Sequence, residues 1–286
     1  MKIAICNELF KGWAVERVFE YAAQLGYDGV EIAPYTLADS VTEIPMRKRK
    51  AIRRAAEKCG IEIVGLHWLL VKPEGLYINH PDDIIRIRTQ EYIKALIHFC
   101  ADIGGKLLLH GSPHQRTVQE GWKFEEAWER AKETFKVCSD VAQKRNIIYC
   151  IEPLTRTNTN FINTVEEALR MVKEVRHPHF KLMYDVRSGS ENETSILEGL
   201  LRALGSQHLR HVHVNDASGK GPGFGKTEFV PVLRTLRENG YQGFVSVEVF
   251  QFDPDPRTIA SRCIGYLRGI LDTLKDRGET ERVNGG

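Results

Sequence analysis

Ile147-Ile148-Tyr149-Cys150-Ile151-Glu152-Pro153 is an apolar run that closes on a carboxylate. A stretch with no charge on either face suits a parallel strand that is covered on both sides. A glutamate at its end is costly to bury unless it is paired, protonated or bound to a cation. The same pattern recurs along the chain. Lys181-Leu182-Met183-Tyr184 leads to Asp185, Leu209-Arg210-His211-Val212 to His213, and Phe244-Val245-Ser246-Val247 to Glu248. Nearer the N-terminus, Glu62-Ile63-Val64-Gly65-Leu66 leads to His67 and Lys106-Leu107-Leu108-Leu109 to His110.

Between these runs lie longer stretches with helical spacing, and the alternation extends to the whole chain. The expected strands are 2–6, 29–33, 62–67, 106–110, 147–152, 181–185, 209–214 and 243–248. The expected helices are 14–26, 46–60, 82–103, 124–145, 164–175, 195–204, 229–239 and 256–274. Many helices stop at a glycine, as in Leu25-Gly26 and Cys59-Gly60. Eight β/α units in 286 residues predict an α/β protein, a single closed (β/α)8 TIM barrel over residues 1–276. The polar stretch 277–286 is expected to be a mobile tail. A doubly wound open sheet is the main alternative, but Cys6-Asn7-Glu8-Leu9-Phe10 follows the first strand where a dinucleotide-binding glycine loop would stand.

The formal charge is +2 and charged residues make up 27% of the chain, so neither nucleic acid nor an acidic membrane surface is expected as a partner. The basic run Arg47-Lys48-Arg49-Lys50 is read as a solvated helix face. No apolar run is long enough to span a bilayer, and no signal peptide precedes the first strand. The six cysteines form no CxxC motif, and a cytoplasmic protein with reduced thiols is expected.

In a barrel of this kind the active site lies at the C-terminal ends of the strands. Glu152, Asp185, His213 and Glu248 are spaced 33, 28 and 35 residues apart, about one β/α unit each. Three carboxylates and an imidazole at successive strand ends predict one divalent cation, Mn²⁺ first, with Mg²⁺, Co²⁺ or Zn²⁺ as alternatives. His211 and His213 share a face of their strand; His213 is taken as the ligand and His211 as a buried layer residue. His67, His110, Arg187, Trp13 and Trp68 are expected to line the substrate pocket. Glu8, Lys226 and Phe250 are further rim candidates, and the loop 219–225 is read as a phosphate cradle or a lid.

Ile151-Glu152-Pro153-Leu154, Tyr184-Asp185, His211-Val212-His213-Val214-Asn215-Asp216 and Val247-Glu248 resemble the motifs of the xylose-isomerase-like barrel superfamily. Within it, Glu152-Pro153-Leu154-Thr155-Arg156 and Asn160-Phe161-Ile162-Asn163-Thr164 are most similar to ketose 3-epimerases and related sugar epimerases. The resemblance implies that Glu152, Asp185, His213 and Glu248 hold the metal, that Glu152 and Glu248 are the catalytic proton carriers, and that homo-oligomers form. Three positions depart from the ketose epimerases: Asn158, Ser188 and Gly219 stand where those enzymes carry a Glu, a His and an Arg that contact the sugar. Endonuclease IV is a second relative. His67 and His110 match two of its zinc ligands, but Ser188 and the segment 221–226 lack the rest.

The expected function is a metal-dependent isomerase or epimerase acting on a small carbohydrate, a keto sugar or related polyol, through an enediolate. A dehydratase or lyase acting on a keto-inositol or keto-glycoside is the alternative. An abasic-site nuclease and a non-catalytic binding subunit follow behind.

Overall fold

The structure, a computed structural model, describes residues 1–283, with side chains through Leu274. Its strands are β1 (Lys2–Cys6), β2 (Gly29–Ile32), β3 (Glu62–Leu66), β4 (Leu107–His110), β5 (Ile148–Ile151), β6 (Phe180–Asp185), β7 (Leu209–Val214) and β8 (Phe244–Val247). Its helices are α1 (Val15–Leu25), α2 (Met46–Cys59), α3 (Asp83–Ile103), α4 (Phe124–Lys144), α5 (Val165–Val175), α6 (Val186–Asn192), α7 (Ile196–Gly205), α8 (Phe229–Glu238) and α9 (Pro256–Val283). The strands run in chain order around a closed barrel, and β8 pairs in parallel with β1. The expected TIM barrel is thus what forms. The expected tail, 277–286, falls on the last turns of α9 and on residues outside the described ones.

Two apolar layers follow from the alternation of strand side chains. Outward-pointing residues such as Ile5, Ile32, Leu108, Ile151, Leu182 and Val245 pack under the helices in one continuous core. Helix α1 supplies Val15, Val18, Phe19 and Ala22 to that core at helical spacing and stops at Gly26, whose φ of 88° is the left-handed conformation. Inward-pointing Leu109, Cys150 and Met183 form a separate small cluster inside the barrel. The register pairs Leu109 with Cys150 and His110 with Ile151, which fixes the face on which each side chain of β4 lies.

Helix α6 was not expected from the sequence. Its residues include Ser188, Gly189, Ser190 and Asn192, which are weak helix formers with no apolar period. The Asp185 carboxylate starts the helix by accepting the Ser188 N–H at 2.7 Å, so one side chain both ends β6 and caps α6. Among the described residues no helix is long and apolar enough to cross a membrane. All six cysteines are free thiols.

Most of the basic run at the start of α2 is exposed, as expected, but Arg49 turns inward. It bonds Asp102 at 2.9 Å and the carbonyl oxygens of Ile44 and Val41, while Arg145 reaches the other Asp102 oxygen at 2.7 Å. One carboxylate thereby ties α2, α3 and the end of α4. Burial alone would raise the Asp102 pKa, and the two guanidinium groups outweigh it and hold the carboxyl below its ordinary value. A folded-state pKa below the unfolded one gives stability that is present above the unfolded value, near 4, and is lost as pH falls through the lowered value. Asp102→Asn is expected to cost about 1.5–3 kcal/mol in urea melts at neutral pH, the typical range for hydrogen bonds to charged groups. The difference from wild type should shrink below about pH 4; a pH-independent difference would assign the loss to packing instead.

Candidate active site

The inward direction set by Cys150 and Met183 carries two residues further along each strand to Glu152 and Asp185. His213 and Glu248 reach the same level from β7 and the end of β8. One ligand atom from each of the four lies within 4.8 Å of every other, and all four side chains are buried. This chemistry suits a divalent cation: three hard oxygen donors and one imidazole converge on a point inside a low-dielectric wall. The carboxylates load one another electrostatically. Burial and the charges of Glu248 and Asp185 push Glu152 up to about 8, and burial with Glu248 raises Asp185. Burial opposes a charged His213, but Glu31 and Glu248 outweigh it and hold its pKa well above the usual value.

Glu31, at the centre of β2, is the principal residue that the sequence reading missed. It is fully buried inside the barrel, with Oε2 3.0 Å from His213 Nε2 and Oε1 2.5 Å from His211 Nε2 in a close contact outside hydrogen-bond geometry. Burial would raise its pKa, yet His211 and His213 hold it well below the ordinary value. Its signal was the single charge within Gly29-Val30-Glu31-Ile32-Ala33, a pattern of the same kind as those that marked the later strands. Arg116 was missed as well. It is fully buried in the loop after β4 and donates to the Glu152 carbonyl at 2.7 Å and to the Ile162 carbonyl at 3.3 Å. It therefore fixes the backbone that carries Glu152.

A cleft, about 450 Å³ with the open solvent at its mouth included, opens over the cluster. Glu152, Asp185 and Glu248 stand in its wall with His67, Trp68, Arg187, Ser188, Asn158 and Phe250. His67 bonds Glu8 at 2.7 Å; burial opposes its charged form, and the Glu8 carboxylate raises its pKa. Trp68 and Ser112, both in the cleft wall, have φ of 51° and 40°, an uncommon conformation for residues with a side chain. Trp68 meets Phe250 edge-on with ring centres 6.4 Å apart, and the Arg187 guanidinium lies 5.0 Å from the Phe250 ring.

Two expected pocket residues lie elsewhere. His110 lies on the outer face of the sheet beside its β5 register partner Ile151 and packs against Phe135 and Tyr149, with Nδ1 2.6 Å from the Tyr149 hydroxyl. Burial and the nearby Arg116 lower its pKa to about 3, so it is a neutral core residue. Trp13 packs against Phe10 and Tyr21 under the Arg17 guanidinium and lies outside the cleft wall. The loop 219–225 is closed on a protein carboxylate: Asp216 accepts from the Ser218 and Thr227 N–H groups at 2.9 and 2.7 Å. These two donors flank the loop, and Asp216 ties its two ends together.

Gly111 lies against the cluster so closely that an added Cβ would stand 2.5 Å from Glu152 Oε2. Gly111→Ala forces that flexible carboxylate to swing away while leaving the barrel intact. Calorimetric titration with Mn²⁺ is expected to show affinity at least about tenfold weaker, or 1.4 kcal/mol, with an unchanged circular dichroism spectrum. Equal affinity would remove Glu152 Oε2 from the ligand set.

The same architecture and sequence pattern recur in known proteins. A model of the xylose isomerase-like TIM barrel family matches residues 19–269. The chain is 30% identical over 235 residues to the D-psicose 3-epimerase of Ruminiclostridium cellulolyticum, covering 81% of this chain and 76% of that one. It is 26% identical over 239 residues to a probable ketose 3-epimerase of Synechocystis sp., covering 83% and 79%. It is 24% identical over 283 residues to the 3-dehydro-D-guloside 4-epimerase of Escherichia coli, covering 94% and 99%. Among solved structures, the fold is shared with a 3-keto-D-glucoside 4-epimerase from E. coli at a TM-score of 0.81 and 21% identity, over 94% of this chain and 99% of that one. The chain belongs to the xylose isomerase-like TIM barrel family, among enzymes of the isomerase and epimerase type.

Proposed function

We propose that this protein is a divalent-metal-dependent epimerase of a keto sugar or a related keto-polyol, inverting a carbon next to the ketone. The observation that carries the reading is the convergence of Glu152, Asp185, His213 and Glu248, one ligand atom of each within 4.8 Å of the others, with the three carboxylates lining the cleft. The relatives support the chemistry: a ketose 3-epimerase and a 3-dehydro sugar 4-epimerase each invert a carbon beside a carbonyl. The oxygen-rich donor set favours Mn²⁺, with Mg²⁺ or Co²⁺ next and Zn²⁺ less suited.

Bound by these four residues, a divalent ion would draw electron density from the carbonyl and the neighbouring hydroxyl and so stabilise the enediolate. Glu152 and Glu248 enter the cleft from β5 and β8 and serve as the two proton carriers. One removes the proton from the carbon beside the ketone, and the other returns a proton to its opposite face. Arg187 offers N–H groups to hydroxyl oxygens of the substrate, and His67, held by Glu8, lines the wall beside it. Trp68 and Phe250 cover the cleft and exclude water from the carbanion. Asn158 and Ser188, both in the cleft wall, supply neutral contacts where the ketose 3-epimerases carry a glutamate and a histidine, so a substrate other than the simple hexuloses is expected.

The reading is tested by mass spectrometry of a ketose and keto-glycoside panel in D₂O with Mn²⁺-loaded protein. Wild type is expected to introduce one deuteron into its substrate, and Glu248→Gln to slow this by roughly 10²–10⁴-fold, the usual worth of a positioned acid or base. Full activity in Glu248→Gln would end the two-glutamate mechanism. Loss of water from a panel member would reassign the enzyme as a dehydratase.

A further inference from the structure

His213 is gripped at both ring nitrogens. Nδ1 lies 3.0 Å from Glu248 Oε2, on the side of the ligand cluster, and Nε2 lies 3.0 Å from Glu31 Oε2, on the side of the barrel interior. A neutral imidazole carries one proton, which can sit on either nitrogen. Only the tautomer with the proton on Nε2 presents a lone pair from Nδ1 to a cation in the cluster. An ionised carboxylate accepts hydrogen bonds and donates none, so facing Nε2 it can bond only the Nε2–H form.

We propose that Glu31 is a positioning residue of the metal centre, which accepts Nε2–H of His213 and thereby fixes that ring as an Nδ1 ligand. The inference rests on reading the four-residue cluster as a metal site. Glu31 is itself fully buried and enclosed by imidazoles. Its other oxygen is 2.5 Å from His211 Nε2, two residues earlier on β7, and His67 Nδ1 is 3.7 Å from Oε2. The carboxylate therefore has little freedom to turn away from His213. The arrangement joins β2 to a cluster otherwise built from β5, β6, β7 and β8. A carboxylate behind a ligating imidazole fixes both the tautomer and the ring plane, and its loss typically costs about 10–100-fold in metal affinity.

Two measurements test this apart from turnover. In the first, long-range ¹H–¹⁵N spectra of histidine-labelled, Zn²⁺-loaded wild type read the tautomer of each ring; the His213 signals are assigned by comparison with His213→Gln. The expected result is Nε2–H with a metal-shifted Nδ1. A protonated Nδ1 would overturn the proposal. In the second, Mn²⁺ is titrated calorimetrically into wild type, Glu31→Gln and Glu31→Asp. Glu31→Gln, which keeps the volume but accepts more weakly, is expected to bind about 10–100-fold less tightly, with its folded spectrum retained. Glu31→Asp, which keeps the charge, is expected to recover part of that loss. Wild-type affinity in a folded Glu31→Gln would reduce Glu31 to a counter-ion of buried histidines. Failure of wild type to bind Mn²⁺ or Zn²⁺ at all would instead sink the metal-site reading on which the proposal stands.

Discussion

The mutual repulsion of Glu152, Asp185 and Glu248, buried within 4.8 Å of one another, is the constraint around which the rest of the site is arranged. At such separations two like charges cost about 3 kcal/mol or more per pair at an effective dielectric near 20. A fold tolerates that only if the surroundings answer it. His213 faces the carboxylates from β7. Asp185 is further occupied by Ser188 N–H and by the Asn215 amide at 2.8 Å, and Arg116 stands behind the Glu152 backbone. The proposed divalent ion would supply the remaining countercharge.

The barrel makes this concentration of charge affordable. Its outer face packs under the helices in a continuous apolar core that also takes in the buried His110, and its lower interior is filled by Leu109, Cys150 and Met183. The ionisable residues of the barrel interior lie in the layers above, and Glu152, Asp185 and Glu248 among them line the cleft. Closure of the sheet brings inward side chains from strands distant in sequence, β2 and β7 for example, within a few ångströms of each other. That is why Glu31 and His213, 182 residues apart, come within 3.0 Å. The electrostatics of the site are thus a property of the ring of strands as a whole.

Much of this was legible before any coordinates. Apolar runs ended by Glu152, Asp185, His213 and Glu248 identify both the strands and the faces they share, because an ionisable group at the end of a buried strand has few places to go. The reading failed where a strand end was taken as a rim position without knowledge of its face. Leu107-Leu108-Leu109-His110 is apolar on both sides, so nothing local says that His110 points outward with Ile151. Trp13 failed for a related reason: a loop aromatic near a rim is attractive to a sugar and equally attractive to Phe10, Tyr21 and Arg17. Helix α6 was invisible because the Asp185 cap starts it, and its own residues have weak propensity.

The amino-acid sequence by itself determined the eight β/α units, the barrel and the four residues that converge at the C-terminal ends of its strands, since hydrophobic periodicity and the cost of burying charge act locally along each strand. Only the tertiary structure decided the register of β4 against β5, the place of Glu31 beneath His213, and the support of Glu152 by Arg116. Those depend on how the sheet closes and how far each strand is sheared against the next. The physical reason is one of range: periodicity is set by a residue's own neighbours, whereas pairing across a barrel is set by the packing of all eight strands at once.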